Sequence, residues 1–253
     1  MNINELKEYW LKEELSAHIN GWDFSHIDER FTSREDELPW SYPDRIAFYK
    51  KDTDRILDID TGGGEFLLSL RHPHKLTSAT EGYPPNVELC RKKLLPLGID
   101  FHEVTDYGNM PFADESFDMV IDRHGSYDAD ELFRILKKDG LFITQQVGCL
   151  NDRELVEKLL PEAQIAFPEF DLVHQVEVLR KAGFTVLEQC EAMRQIRFFD
   201  TGALVWFARV IPWEFIDFSV EKCFDELLSV EKEISENGYV NGRIHRFYIA
   251  ARK

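Results

Sequence analysis

The stretch ILDIDTGGGEFLLSL, from Ile56 to Leu70, reads as a short apolar strand that runs into a glycine turn and then a helix. A strand this apolar is buried on both faces and delivers Asp58 to the carboxyl edge of its sheet. Gly62, Gly63 and Gly64 carry no Cβ, so the backbone there can approach a ligand closely. Ligands of open α/β sheets bind in that crevice. A strand-to-helix turn with no ligand has little use for three consecutive glycines, each of which loses chain entropy on folding.

Outward from this turn, strands and helices alternate. Lys75 to Thr80 is a second strand, and Pro84-Pro85 open a helix through NVELCRKKL, proline being suited to a first helical turn. Ile99–Val104, Phe117–Asp122 and Gly140–Gln146 are further strands, with a helix in DADELFRILKK before the last of them. Alternation at this spacing means βαβ units and a parallel sheet. After Gly148, Asn151 with Glu154 fits a capping box for a helix to Leu160, and DLVHQVEVLRKAG is a helix ended by Gly183. A long extended stretch from Phe184 to Phe199 precedes two helices, Thr201–Val210 and Val220–Asn237, and His245–Lys253 closes the chain as a strand. The expected fold is α/β. It has a Rossmann-like, mostly parallel sheet of seven strands with the last strand antiparallel, helices on both faces, an N-terminal helical cap and a helical insertion before the last strand. The expected division is a cap over residues 1–45 and a main domain over 46–253, with the insertion at about 198–242. In the cap, Leu6, Tyr9, Trp10 and Leu15 recur at helical spacing until Asn20-Gly21, and an aromatic, charged loop follows from Trp22 to Pro43.

The chain has 253 residues, 43% of them hydrophobic, enough for a sizeable core. Its net charge is −17, with 47 acids against 30 bases and no basic run, which argues against gripping a nucleic-acid backbone. No apolar run is long enough to span a membrane, and the acidic, amphipathic N-terminus is no signal peptide. Cys90, Cys149, Cys190 and Cys223 are widely spaced with no C-x-x-C, as expected of reduced thiols in a cytoplasmic protein. His72 and His74 flank Pro73 with no third ligand at suitable spacing, so no metal is expected.

Glu81 ends the second strand, nineteen residues after Gly62, where a carboxylate can accept from both hydroxyls of a ribose. With the glycine turn it points to a nucleoside ligand, either NAD or S-adenosylmethionine. VTDYGNMPFADESFDMVI, from Val104 to Ile121, separates the two. Here Asp106 is followed by Met110-Pro111-Phe112, the acidic turn Asp114-Glu115, and Phe117-Asp118 opening the next strand. Together with RILKKDG before the fifth strand, this resembles the class I S-adenosylmethionine-dependent methyltransferases, in their ubiquinone and small-molecule branch, over about residues 55–148. The resemblance implies that Asp58 orients the glycine loop and the methionine amino group, and that Asp60, Gly62 and Gly64 line the amino-acid tail. It implies further that Glu81 holds the ribose, that Asp106 accepts from the adenine amine beside the Tyr107 backbone, and that Arg123 sits below the methionine part. The family usually has glycine at Asp60, and Pro-Gly at Lys138-Asp139.

Methyl transfer is a displacement in which the cofactor carries the hard chemistry and the protein supplies alignment. The acceptor is expected to be a small molecule. His124, in DRHGSYD, lies where the family presents groups to the methyl and is the candidate base or acceptor ligand; a loop histidine satisfied by backbone is the plainer reading. Trp22, Trp40, Tyr127 and Gln146 are the candidate acceptor-pocket residues, although buried aromatics are mostly core. Two other functions remain open. An NAD-dependent oxidoreductase would need a third glycine where Leu67 stands, and a non-catalytic S-adenosylmethionine-binding protein would tolerate Asp60.

Overall fold

The computed structural model describes residues 1–18 and 23–253. The expected helix stop at Asn20-Gly21 and the pocket candidate Trp22 lie outside the described residues. The strands are β1 (Phe31–Ser33), β2 (Ile56–Ile59), β3 (Thr77–Glu81), β4 (Asp100–Glu103), β5 (Phe117–Arg123), β6 (Leu136–Val147), β7 (Thr185–Phe198) and β8 (Val240–Arg252). The α-helices are α1 (Ile3–Ser16), α2 (Tyr42–Tyr49), α3 (Glu65–Ser69), α4 (Pro84–Lys93), α5 (Ala129–Ile135), α6 (Arg153–Leu159), α7 (Leu172–Lys181), α8 (Thr201–Val210) and α9 (Phe224–Asn237).

The sheet order is β1-β7-β8-β6-β5-β2-β3-β4. Strands β2 to β6 pair in parallel, and β8 runs antiparallel to β6, as expected of the last strand. Among the described residues there are eight strands rather than seven. The extra one, β1, lies in the segment read as loop, where Phe31, Thr32 and Ser33 pair antiparallel with Phe198, Arg197 and Ile196. Three residues are too few to show a period of two, so the pairing is set by β7 and not by a local signal.

The chain divides into two compact units. One, the sheet unit, comprises residues 39–148, 169–192 and 246–253. All four residues of β2 are buried, and side-chain alternation sorts the strands into two cores. Leu57, Ile59, Val120, Phe142, Phe247 and Ile249 pack with Leu132 and Ile135 of α5 and Val176 and Leu179 of α7. On the opposite face Ile56, Met119, Ile121, Ile143 and Tyr248 pack with Tyr42 and Ile46 of α2. Helix α2 starts inside the expected loop, capped by Ser41, which accepts from the Asp44 N–H at 3.4 Å, with proline in its first turn. Helix α5 is shorter than RILKK suggests. Leu136 is fully buried and pairs with Phe117, so β6 begins four residues before Gly140.

The second unit, of residues 1–38, 149–168 and 193–245, is mainly helical. Asn2 and Glu5 form a reciprocal capping box at the start of α1. The box expected at Asn151 does not form. The N-cap of α6 is Asp152, in the left-handed region at φ +53°, with no side-chain cap. Asn151 instead donates to Glu214 at 2.9 Å and accepts from the His245 N–H at 3.0 Å. Helix α8 is buried at every residue but Arg209, and its core includes Leu6 and Trp10 of α1, Leu155 of α6 and Leu227 of α9. Arg30 ties this unit together, donating to Asp200 at 2.8 Å, to Glu13 at 2.9 Å and to the Tyr9 hydroxyl at 2.6 Å.

A Cβ added to Gly202 would lie 2.5 Å from the Tyr9 hydroxyl, which Arg30 and Asp200 hold in place. Gly202→Ala is therefore expected to destabilise by about 1–3 kcal/mol, as overpacking does, read as a lowered Tm in thermal denaturation. An unchanged Tm would mean that Tyr9 moves aside.

Candidate functional site

Four acids gather at the carboxyl ends of β2, β3 and β5. Asp58, inside β2, is 2% exposed and accepts from the Thr61 hydroxyl at 2.5 Å. Burial pushes its carboxyl up to about 7, opposed by Thr61 and reinforced by Asp60 and Glu81. Glu81, at the tip of β3, accepts from the N–H groups of Gly62 at 2.8 Å, Gly82 at 2.9 Å and Tyr83 at 2.9 Å. Burial raises its pKa, against the pull of the Tyr83 N–H. Gly62 and Gly64 both have positive φ, +63° and +79°, and a Cβ on Gly64 would also press on Leu94 at 2.9 Å. The turn therefore needs glycine at both positions. The second of the three, Gly63, has no such requirement in its own φ.

Asp60 stands where bare backbone is usual. It adopts φ +49° and spreads its carboxylate between two other loops. The Tyr107 hydroxyl donates to one oxygen at 2.5 Å and the Ser126 N–H to the other at 3.1 Å. Burial raises its pKa despite both donors, and burial together with Asp60 raises that of Tyr107.

The fourth acid, Asp122, is fully buried at the end of β5. The Gly125 N–H and the Gln146 amide donate to it at 3.0 and 2.7 Å. Burial, then Asp60, pushes it well above the carboxylate range. A Cβ on Gly125 would meet both Asp122 and Asp60 at 2.6 Å, so the turn after β5 closes onto these acids. Sequence reasoning missed Asp122. The available signal was an acid ending FDMVID, the strand next to that of Asp58.

The remaining candidates are spread around this group. Asp106 is exposed and accepts from the Gly108 N–H at 3.1 Å in its own turn. Arg123 is exposed, its guanidinium 5.4 Å from the centre of the Phe66 ring. His124 is half-buried with φ +65°; its N–H donates to the Gln145 carbonyl at 2.9 Å. Burial, then Arg246 and Arg123, holds its imidazole well below the usual range, so it is neutral. The Tyr127 hydroxyl donates to Gln175 of α7 at 2.8 Å, and its ring packs on Phe142. Gln146 spends its amide N–H groups on Asp122, Thr144 and the Gly125 carbonyl. Trp40 donates to the Gln145 side chain at 2.8 Å and stacks on Tyr248. It also lines a shallow cavity of about 220 Å³ with Arg45, Glu188, Cys190 and Tyr248.

Clustered carboxyls, all raised first by burial and three of them further by acidic neighbours, favour a cationic ligand. S-adenosylmethionine, with a sulfonium and an ammonium, fits that donor set. A dinucleotide would bring a diphosphate toward Asp58, Asp60, Glu81 and Glu65, the last in the first turn of α3, where like charges repel.

Residues 57–144 match the sequence family described as "Methyltransferase domain". No curated protein matches the chain. Among solved structures, the YcgJ protein of Bacillus subtilis is 16% identical and superimposes with a TM-score of 0.56, over 84% of this chain and 97% of that one. A SAM-dependent methyltransferase of Methanosarcina mazei is 17% identical, with a TM-score of 0.51 over 83% and 96%. The [4+2]-cyclase SpnF is 15% identical, with a TM-score of 0.50 over 83% and 80%. At these identities the likeness is one of fold. Residues 57–144 thus resemble a methyltransferase domain, set in a fold that the chain shares with these structures.

Proposed function

We propose that this protein transfers the methyl group of S-adenosylmethionine to a small-molecule acceptor. The observation that carries this reading is the group of four acids at the tips of β2, β3 and β5, with Asp58, Glu81 and Asp122 buried and Asp60 half-buried, beside which a cationic cofactor is favoured. When bound, the cofactor supplies an electrophilic methyl on sulfur. Asp58 and Asp60 would hold the amino-acid tail with Gly62 and Gly64, Glu81 the ribose, and Asp106 and Tyr107 the adenine side, with Arg123 beneath. His124 would meet the acceptor as base or ligand, with Trp40, Tyr127 and Gln146 around it. In this reading residues 1–45 are a cap, and 46–253 the catalytic domain with an insertion at 198–242. A net charge of −17 favours a small acceptor over a polyanion. Four free cysteines support action in the cytoplasm, and among the described residues no helix is long and apolar enough to cross a membrane.

Calorimetry is expected to show binding of S-adenosylmethionine and none of NADH. The reverse result would replace this reading with an oxidoreductase. A metabolite panel should then reveal turnover that His124→Ala lowers by about 100-fold, the usual worth of a positioned catalytic group. The non-catalytic alternative draws on one observation, the ties from Asp60 to Tyr107 and Ser126. Cofactor binding without turnover across the panel would favour it.

A further inference from the structure

Two prolines open α4 directly behind the tip of β3 and place Asn86 in its first turn. Asn86 is 7% exposed. Its Nδ2 lies 3.4 Å from the Glu81 Oε2. A carboxylate only accepts, so the amide NH₂ faces Glu81. The amide oxygen, Oδ1, is shielded from solvent and has no hydrogen-bond partner among the described residues. Buried acceptors are nearly always satisfied, so a bare one beside Glu81 points to a donor from outside the chain. Glu81 itself is close to saturated. A carboxylate offers about four lone-pair positions. Gly82 and Tyr83 donate to Oε1, both at 2.9 Å, and Gly62 donates to Oε2 at 2.8 Å. The Asn86 amide takes the remaining position through the longest of these bonds. Two ribose hydroxyls therefore cannot both find room on Glu81 while the glycine turn stays tied to it. One can, on Oε2, in place of the long Asn86 contact.

We propose that Glu81 and Asn86 divide the ribose between them, one hydroxyl donating to the Glu81 Oε2 and the other to the Asn86 Oδ1. Asn86 is then the residue that makes the site select a vicinal diol. The inference rests on the reading of the β3 tip as the nucleoside site, and it deepens that reading. The hydroxyl that donates to Oε2 can accept from the Asn86 NH₂ it displaces, so no buried donor is left bare. The surroundings also suit hydroxyl donors. Pro84 and Pro85 carry no N–H. The Gly82 and Tyr83 N–H groups are spent on Glu81, and the Val87 N–H on the Tyr83 carbonyl. This helix start thus offers acceptors more than donors, which favours the hydroxyls of a sugar over a phosphate.

The test is calorimetry of the full-length protein with S-adenosylmethionine and with its 2′-deoxy and 3′-deoxy analogues. The wild-type protein should bind each analogue about 10-fold or more weakly than the parent. Asn86→Leu, close in volume but apolar, should weaken S-adenosylmethionine by about 10-fold. It should also cease to distinguish the parent from one of the two analogues, while discrimination against the other persists. Should that variant fail to fold, Asn86→Ala reads the same selectivity. A merely structural role for Asn86 would weaken all three ligands alike. Such a uniform loss, full discrimination retained in the variant, or a wild-type protein indifferent to either hydroxyl overturns the division of the ribose. A wild-type protein that binds no S-adenosylmethionine overturns the cofactor reading itself, so the two failures are distinct.

Discussion

Glu81→Ala is expected to weaken S-adenosylmethionine binding by about 100-fold or more, measured by calorimetry, and to lower the Tm as well. The carboxylate does two tasks. In the free protein it accepts from the N–H groups of Gly62, Gly82 and Tyr83 within 2.9 Å, and so ties the glycine turn of β2 to the tip of β3. Each buried N–H left without a partner costs about 1–3 kcal/mol, and a turn no longer fixed cannot hold its ligand contacts in place. On the proposed function it would also receive the ribose of the bound cofactor. A loss of 100-fold corresponds to about 2.7 kcal/mol, within reach of a single lost anchor. Glu81→Gln separates the tasks: it keeps one acceptor oxygen, but its NH₂ faces backbone donors, so an intermediate loss is expected. Undiminished binding in Glu81→Ala would remove Glu81 from the cofactor site.

The second large effect is one of pH. Burial pushes Asp58 to about 7 from an ordinary value of 3.8. Between those values the folded chain holds a proton that the unfolded chain has released. Asp58 thus favours the fold at low pH, and that contribution is lost as pH rises from about 4 toward 7. A cationic ligand has the opposite preference, because it needs the carboxylate ionised. Binding of S-adenosylmethionine should therefore release a proton and tighten as pH rises through about 7. Asp60, Glu81 and Arg123 act on the same carboxyl, so the measured midpoint belongs to the group rather than to one residue. Asp58→Asn should flatten most of this dependence and cost about 10-fold or more in affinity above the midpoint, roughly one strong charge contact. Calorimetry in buffers of differing ionisation enthalpy reads the proton directly, and uptake of a proton on binding would contradict the assignment.

What could be read beforehand followed signals local to a few residues. The strand and turn of Ile56–Gly64 announce themselves by an unbroken apolar run and by glycines whose φ the fold requires. Thr201–Val210 was legible to the residue, since Asp200 caps it by accepting from the Ala203 N–H. What escaped was decided by distant partners. Strand β1 exists because β7 offers it an edge, and Asn151 leaves its expected cap because Glu214 and His245 compete for its amide. At the site, the glycine turn and Glu81 stood out, but Asp122 did not. Its place in the group depends on the register that sets β5 beside β2 and β6, and no spacing along the chain encodes that neighbourhood.

The helical unit draws on three separate stretches of chain, which has a consequence for how the protein is made. Leu6 and Trp10 emerge from the ribosome early, yet α8 and α9, which share their core, follow some two hundred residues later. Until then that amphipathic face stays uncovered, and late, non-local closure of this kind is slow and prone to aggregation. A circular permutant opened just before Thr201, in which α8, α9 and β8 precede α1, should reach the native state faster and with less loss to inclusion bodies.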